Sequence, residues 1–77
     1  MKIRTTKIKA TDTLGERIRV RMMEPPFLSQ TMPYDFSAQD AHEAAAREFA
    51  RGQGYRDVAF VRGYNQGNVY YAVGEDE

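Results

Sequence analysis

Residues 17–22, Arg-Ile-Arg-Val-Arg-Met, alternate strictly between cations and apolar side chains, and a period of two marks a strand with one buried face. Such a strand turns Ile18, Val20 and Met22 one way and Arg17, Arg19 and Arg21 the other. Upstream, Lys7-Ile8-Lys9-Ala10 alternates in the same sense, and Thr11-Asp12-Thr13-Leu14-Gly15 supplies turn chemistry, which predicts an antiparallel hairpin over residues 2–22. Ile3 has the opposite parity to Ile8. This reading therefore needs a bulge near Thr5 and Thr6, or a strand that begins there.

Pro25-Pro26 ends the second strand, because neither residue can donate a ladder hydrogen bond. From Leu28 to Asp35 the chain alternates again, with Leu28, Gln30, Met32, Tyr34 and Phe36 on one parity. Pro33 assigns this third strand, residues 28–35, to a sheet edge; a loop with apolar anchors is the competing description. A helix is expected over 38–52, with Ser37 as its N-cap and Phe36 stapled onto Ala41. Ala38, Ala41, Ala45 and Phe49 form its inner stripe, and Glu43 and Arg47 stand in the favourable i,i+4 order on the far side. Gly52 and Gly54 supply the exit, with Gly54 and Tyr55 just past the cap. The β-branched and aromatic runs 57–62 and 68–73, joined by Gly63-Tyr64-Asn65-Gln66-Gly67, make a second hairpin, and Glu75-Asp76-Glu77 is an acidic, frayed tail. The order β-β-(β)-α-β-β describes an α+β fold in which one helix crosses one face of an antiparallel sheet of four or five strands.

With 77 residues there is room for one domain and one core. Net charge is zero, but it is segregated: residues 1–23 carry seven cations against two carboxylates, and residues 24–77 carry four against nine. Such polarity steers a charged partner toward one surface, although a basic strand is also neutralised by an acidic neighbour within a fold. There is no cysteine, so disulfides, thiolate metal sites and thiol nucleophiles are excluded. No apolar run approaches the ~18 residues that span a bilayer. The basic N-terminus is followed by threonines and lysines, and a cytoplasmic protein is the expectation.

Equipment for catalysis is sparse. His42 is the one histidine and the natural candidate for a base, with Tyr34 or Asp35 to orient it. It also sits at the margin of the alanine stripe, where a histidine packs its ring and bonds a nearby polar group, and that structural role is the expectation. No catalytic residue is assigned and the protein is read as a non-enzyme. One histidine cannot furnish a structural zinc site, and no metal or cofactor is called for. Arg51-Gly52-Gln53-Gly54-Tyr55 resembles the RNA-recognition-motif signature, but Gln53 stands where an aromatic belongs and helix capping accounts for both glycines.

What remains is the exposed face of the sheet. If Ile8, Ala10, Ile18, Val20, Val58, Phe60, Val69, Tyr71 and Val73 face the helix, then Lys7, Lys9, Arg17, Arg19, Arg21 and Tyr70 face outward. Cations interleaved with an aromatic can track phosphates and stack bases, whereas a solvated outer face is the plainer account. Phe27 and Leu28, after two prolines, offer an apolar anchor.

Thr31-Met32-Pro33-Tyr34-Asp35-Phe36 followed by His42-Glu43-Ala44-Ala45-Ala46 resembles a pattern in small uncharacterised proteins encoded by bacteriophages. The hairpin, helix, hairpin layout is similar to some small phage inhibitors of CRISPR effectors. These resemblances imply a phage-encoded accessory protein that occupies a host macromolecule in the host cytoplasm, and they transfer no binding residues. Two readings of the chain follow. One is a non-enzymatic interaction protein for a host protein or nucleoprotein partner, through Lys7, Lys9, Arg17, Arg19, Arg21, Phe27, Leu28 and Tyr70; the other is direct nucleic-acid binding through the basic face. A homodimer formed through sheet edges or faces is compatible with both.

Overall fold

The computed structural model describes residues 1–13, 15–64 and 67–75, with Tyr64 and Glu75 described by backbone alone. Leu14 of the first turn, Asn65 and Gln66 of the second, and Asp76 and Glu77 of the acidic tail lie outside the described residues. Five strands and a helix run β1 (Lys2–Ile8), β2 (Arg17–Met22), β3 (Ser29–Pro33), α1 (Ala41–Gly52), β4 (Tyr55–Tyr64) and β5 (Gly67–Glu75). All pairings are antiparallel in one open sheet of order β3-β2-β1-β5-β4, with α1 packed on one face and chiefly against β4. The fold is α+β, the expected third strand forms, and Pro33 does lie on an edge strand.

The parity of β1 is the main correction. Its pairing with β2 runs without a shift from Ile3↔Met22 to Ile8↔Arg17, so no bulge separates Ile3 from Ile8. Ile3 and Thr5 face the helix and are fully buried, and Ile8 lies on the other side with Arg17. Sheet pairing is set by the whole buried row, and Ile3 opposite Met22, with Thr5 opposite Val20, buries more than Ile8 and Ala10 would.

A second reversal concerns β5. Tyr70 and Ala72 face the helix, opposite Phe60 and Val58 of β4, so Val69, Tyr71 and Val73 point outward. The register slips between Phe60 and Arg62, leaving Val61 as the extra residue of a bulge. Without it, Arg62 would share the inward parity of Val58 and Phe60. With it, Arg62 stands opposite the outward Val69, the kind of re-aiming that bulges accomplish.

The helix begins at Ala41, three residues later than expected. Asp35 explains the delay, because its carboxylate accepts from the Ser37 hydroxyl at 2.6 Å and the Ser37 N–H at 3.0 Å. That local turn engages Ser37, and Asp40 becomes the N-cap, accepting from the Glu43 N–H at 3.1 Å. Phe36 is largely exposed and contacts Tyr34, so the expected staple is not made. Ala41, Ala45, Ala46 and Ala50 line the buried face beside Phe49, and side chains this small let the backbone of α1 come close to the sheet. At the other end Gln53 caps the helix and Gly54 takes φ +95°, as the two glycines lead one to expect.

Candidate anion-binding face

On the side of the sheet away from α1, the outward positions of β1–β3 are Lys2, Arg4, Thr6 and Ile8, then Arg17, Arg19 and Arg21, then Ser29, Thr31 and Pro33. Five of these ten are cations and none is a carboxylate. Arg17, Arg19 and Arg21 therefore lie where the alternation predicts, but their neighbours differ from the expected set. Lys7 shares the helix side with Thr5 and Ile18, where its Nζ sits 3.5 Å from Glu16 and 5.2 Å from the centre of the Tyr34 ring. Lys9 is exposed beyond the end of β1. Lys2 and Arg4 occupy the places expected of these two lysines. Tyr70 is 1% exposed and cannot present its ring to a partner on the outer face; Tyr71, 47% exposed, does so instead.

Register arranges these residues in rows across the strands. Arg21 stands opposite Arg4, Arg4 opposite Val69, and Val69 opposite Arg62. Strands spaced ~4.8 Å apart put the Arg21 and Arg62 backbones roughly 15 Å apart, with Arg4 between them. Val69 is 2% exposed on a sheet face that no helix covers, so the stems of its arginine neighbours shield it. Lys2, opposite Tyr71, forms the adjoining row with Ala59. Like charges set directly opposite one another weaken a sheet, and Arg4 and Arg21 are placed in that way.

Phe27 and Leu28 adjoin one end of these rows. The Phe27 N–H bonds the Glu24 carbonyl at 2.8 Å and the Met22 N–H bonds the Leu28 carbonyl at 2.9 Å, closing the Pro25-Pro26 loop beneath β2. Arg21 lies over the Phe27 ring, 5.8 Å from its centre, a cation–π contact. Phe27, Leu28 and Met23 are exposed, and Arg4, Arg21, Met22, Met23 and Phe27 line a cleft of about 250 Å³. Arg17 is half-buried between Ile8 and Pro33, and its Nε is shielded from solvent with no hydrogen-bond partner among the described residues.

Opposite in character is the polar cluster on the helix side. β1 and β5 pair only as far as Arg4↔Val69; beyond that the Asn68 N–H donates to the Thr5 hydroxyl at 3.1 Å. The Thr5 hydroxyl donates to the Asn68 carbonyl at 3.4 Å, and its Oγ1 is hydrogen-bonded to the His42 Nδ1 at 2.8 Å, the ring tautomer setting the direction of that bond. Burial holds the His42 pKa below its ordinary value, and nearby Lys7 adds to the effect while Asp40 opposes it. The partner of His42 is thus Thr5, with Tyr34 meeting the ring edge-on at 6.5 Å and Asp35 occupied by Ser37. The Asn68 side chain donates to the Tyr70 hydroxyl at 3.0 Å, and burial raises the Tyr70 pKa. Gly67 makes this closure sterically feasible, since a Cβ there would overlap the Thr5 carbonyl oxygen and lie 2.6 Å from its carbon.

No helix among the described residues is long and apolar enough to cross a membrane. No protein-family model, curated protein or solved structure matches the chain.

Proposed function

We propose that this protein is a non-enzymatic binding module that docks through the outer face of its sheet onto the polyanionic surface of a nucleoprotein partner. The observation that carries the reading is the Arg4–Arg21 pair, two cations held directly opposite each other on adjacent strands with Arg19 and Lys2 beside them. Five of the ten outward positions of β1–β3 are cations and none is a carboxylate, a concentration of like charge that a bound anion relieves. Phe27, Leu28 and Met23 add an apolar margin of the sort that anchors interfaces. The association with bacteriophage accessory proteins belongs to this proposal and rests on the Pro33-Tyr34-Asp35-Phe36 and His42-Glu43-Ala44-Ala45-Ala46 segments alone.

Immobilised heparin, a generic polyanion, tests the reading. The protein is expected to be retained at low salt and released as salt rises. A triple variant Arg4→Glu, Arg19→Glu, Arg21→Glu with an unchanged far-UV circular dichroism spectrum is expected to flow through. Passage of the unaltered protein at low salt would remove the reading.

A further inference from the structure

The exposed face carries more than charge, and its rows are arranged along a direction. One row holds Arg21, Arg4 and Arg62 with Val69 filling the gap, and it runs perpendicular to the strands. Arg62 joins it only because Val61 is bulged out of β4. Beside this row, toward the Pro25-Pro26 loop, lie the exposed rings of Tyr71 and Phe27, with Lys2 opposite Tyr71 and Met23 next to Phe27 in the cleft. A line of cations flanked on one side by aromatic rings has the two components that hold an unpaired strand: phosphates follow the charges, and bases leave the backbone on one side to stack.

Resting on the proposed function above, we propose that the anion this face takes is single-stranded nucleic acid, laid across the strands with phosphates along Arg21, Arg4 and Arg62 and bases stacked on Tyr71 and Phe27. A second copy of the chain fits the face poorly, because face-to-face pairing would set arginine rows against each other. An acidic protein surface would satisfy the cations but would leave two exposed rings in a polar setting. Duplex fits less well than a single strand, since its bases are already stacked on one another and cannot also stack on Tyr71 and Phe27. The strand is held without reading its sequence where the cations follow phosphates and the rings stack on any base.

The test is fluorescence anisotropy with labelled oligothymidylate, the matching duplex and labelled poly-L-glutamate, each at low and at physiological salt. The single strand is expected to bind at least tenfold tighter than the duplex. Replacing Arg21 and Arg62 together by glutamine is expected to reduce the log–log salt slope by about 1.4, since each phosphate contact on a single strand contributes roughly 0.7. Tyr71→Ala is expected to weaken binding about tenfold with the salt slope unchanged, and Tyr71→Phe to restore it, each variant being checked for an unaltered melting temperature. Equal affinity for strand and duplex, with Tyr71→Ala silent, would overturn the stacking inference and leave the polyanion reading standing. Binding of polyglutamate alone would overturn it in favour of an acidic protein surface, and binding of none of the three would overturn both readings.

Discussion

The two faces of this sheet are made by alternate residues of the same strands, and they handle polar groups in opposite ways. Toward the helix, Thr5, His42, Asn68 and Tyr70 form one connected chain of hydrogen bonds inside a shell of alanine, isoleucine and valine. Away from it, arginine faces arginine, and the one buried side-chain nitrogen without a partner among the described residues is the Arg17 Nε. Stability is concentrated on the first face. The second accepts local cost, which is the pattern expected where surface residues answer to a ligand instead of to the fold.

Substitutions should separate the two faces by sign as well as size. Phe49→Ala removes the one large side chain from the buried stripe of α1 and should cost about 3–5 kcal/mol, enough to leave a domain of this size mostly unfolded in a urea titration at 25 °C. Thr5→Val keeps the shape but leaves the Asn68 N–H and the His42 Nδ1 unpaired, a loss of about 1–3 kcal/mol by the same measurement. Arg19→Thr should act in the other direction. Flanked by Arg17 and Arg21 and paired with Thr6 and Thr31, the new threonine relieves repulsion and suits a strand, so stability should rise by a few tenths of a kcal/mol while retention on heparin falls. If Arg19→Thr instead melted earlier, the contrast between the faces would be wrong.

The smallest effect is a dependence on pH. Because the folded protein holds the His42 pKa below the ordinary 6.5, the unfolded chain takes up a proton first as pH falls. The His42 contribution is therefore complete above about 6.5 and is lost as pH drops through the folded pKa. Urea midpoints measured from pH 7.5 down to 5 should show this decline, and His42→Gln should flatten it. A proton NMR titration of the imidazole with a midpoint at or above 6.5 would contradict the assignment.

Where alternation was unbroken, as in Arg17–Met22, local pattern and structure agree; of the helix stripe Ala41, Ala45 and Phe49 agree while Ala38 falls before the helix, and the glycine exit agrees as well. The candidate face was only half legible. Arg17, Arg19 and Arg21 could be placed from parity alone, yet Lys2, Arg4, Tyr71 and Arg62 could not, and each miss has a cause in tertiary pairing. Thr5 is a polar residue on a buried row, so the inward parity of β1 is disguised until His42 and Asn68 are seen to satisfy it. Tyr70 and Tyr71 are chemically alike and adjacent, and only pairing with Phe60 and Ile3 decides which one is buried. The bulge at Val61 is hard to place from sequence because Val58, Ala59, Phe60 and Val61 are all apolar and leave no alternation for it to break. The N-cap moved for a simpler reason: Asp35 engages the Ser37 hydroxyl and N–H, and Asp40 accepts from the Glu43 N–H in its place.

Strand β1 lies at the centre of the sheet, yet one of its two neighbours, β5, is separated from it by most of the chain. During synthesis β1, β2 and β3 can form a meander early, but it would expose the inward side of Ile3 and one whole edge of β1 until residues 67–75 have left the ribosome. Contacts between segments so distant in sequence slow folding and lengthen exposure of an unpaired edge. Completion of the sheet therefore waits on β5, and the like charge of the arginines on β2 disfavours association of two such unfinished meanders.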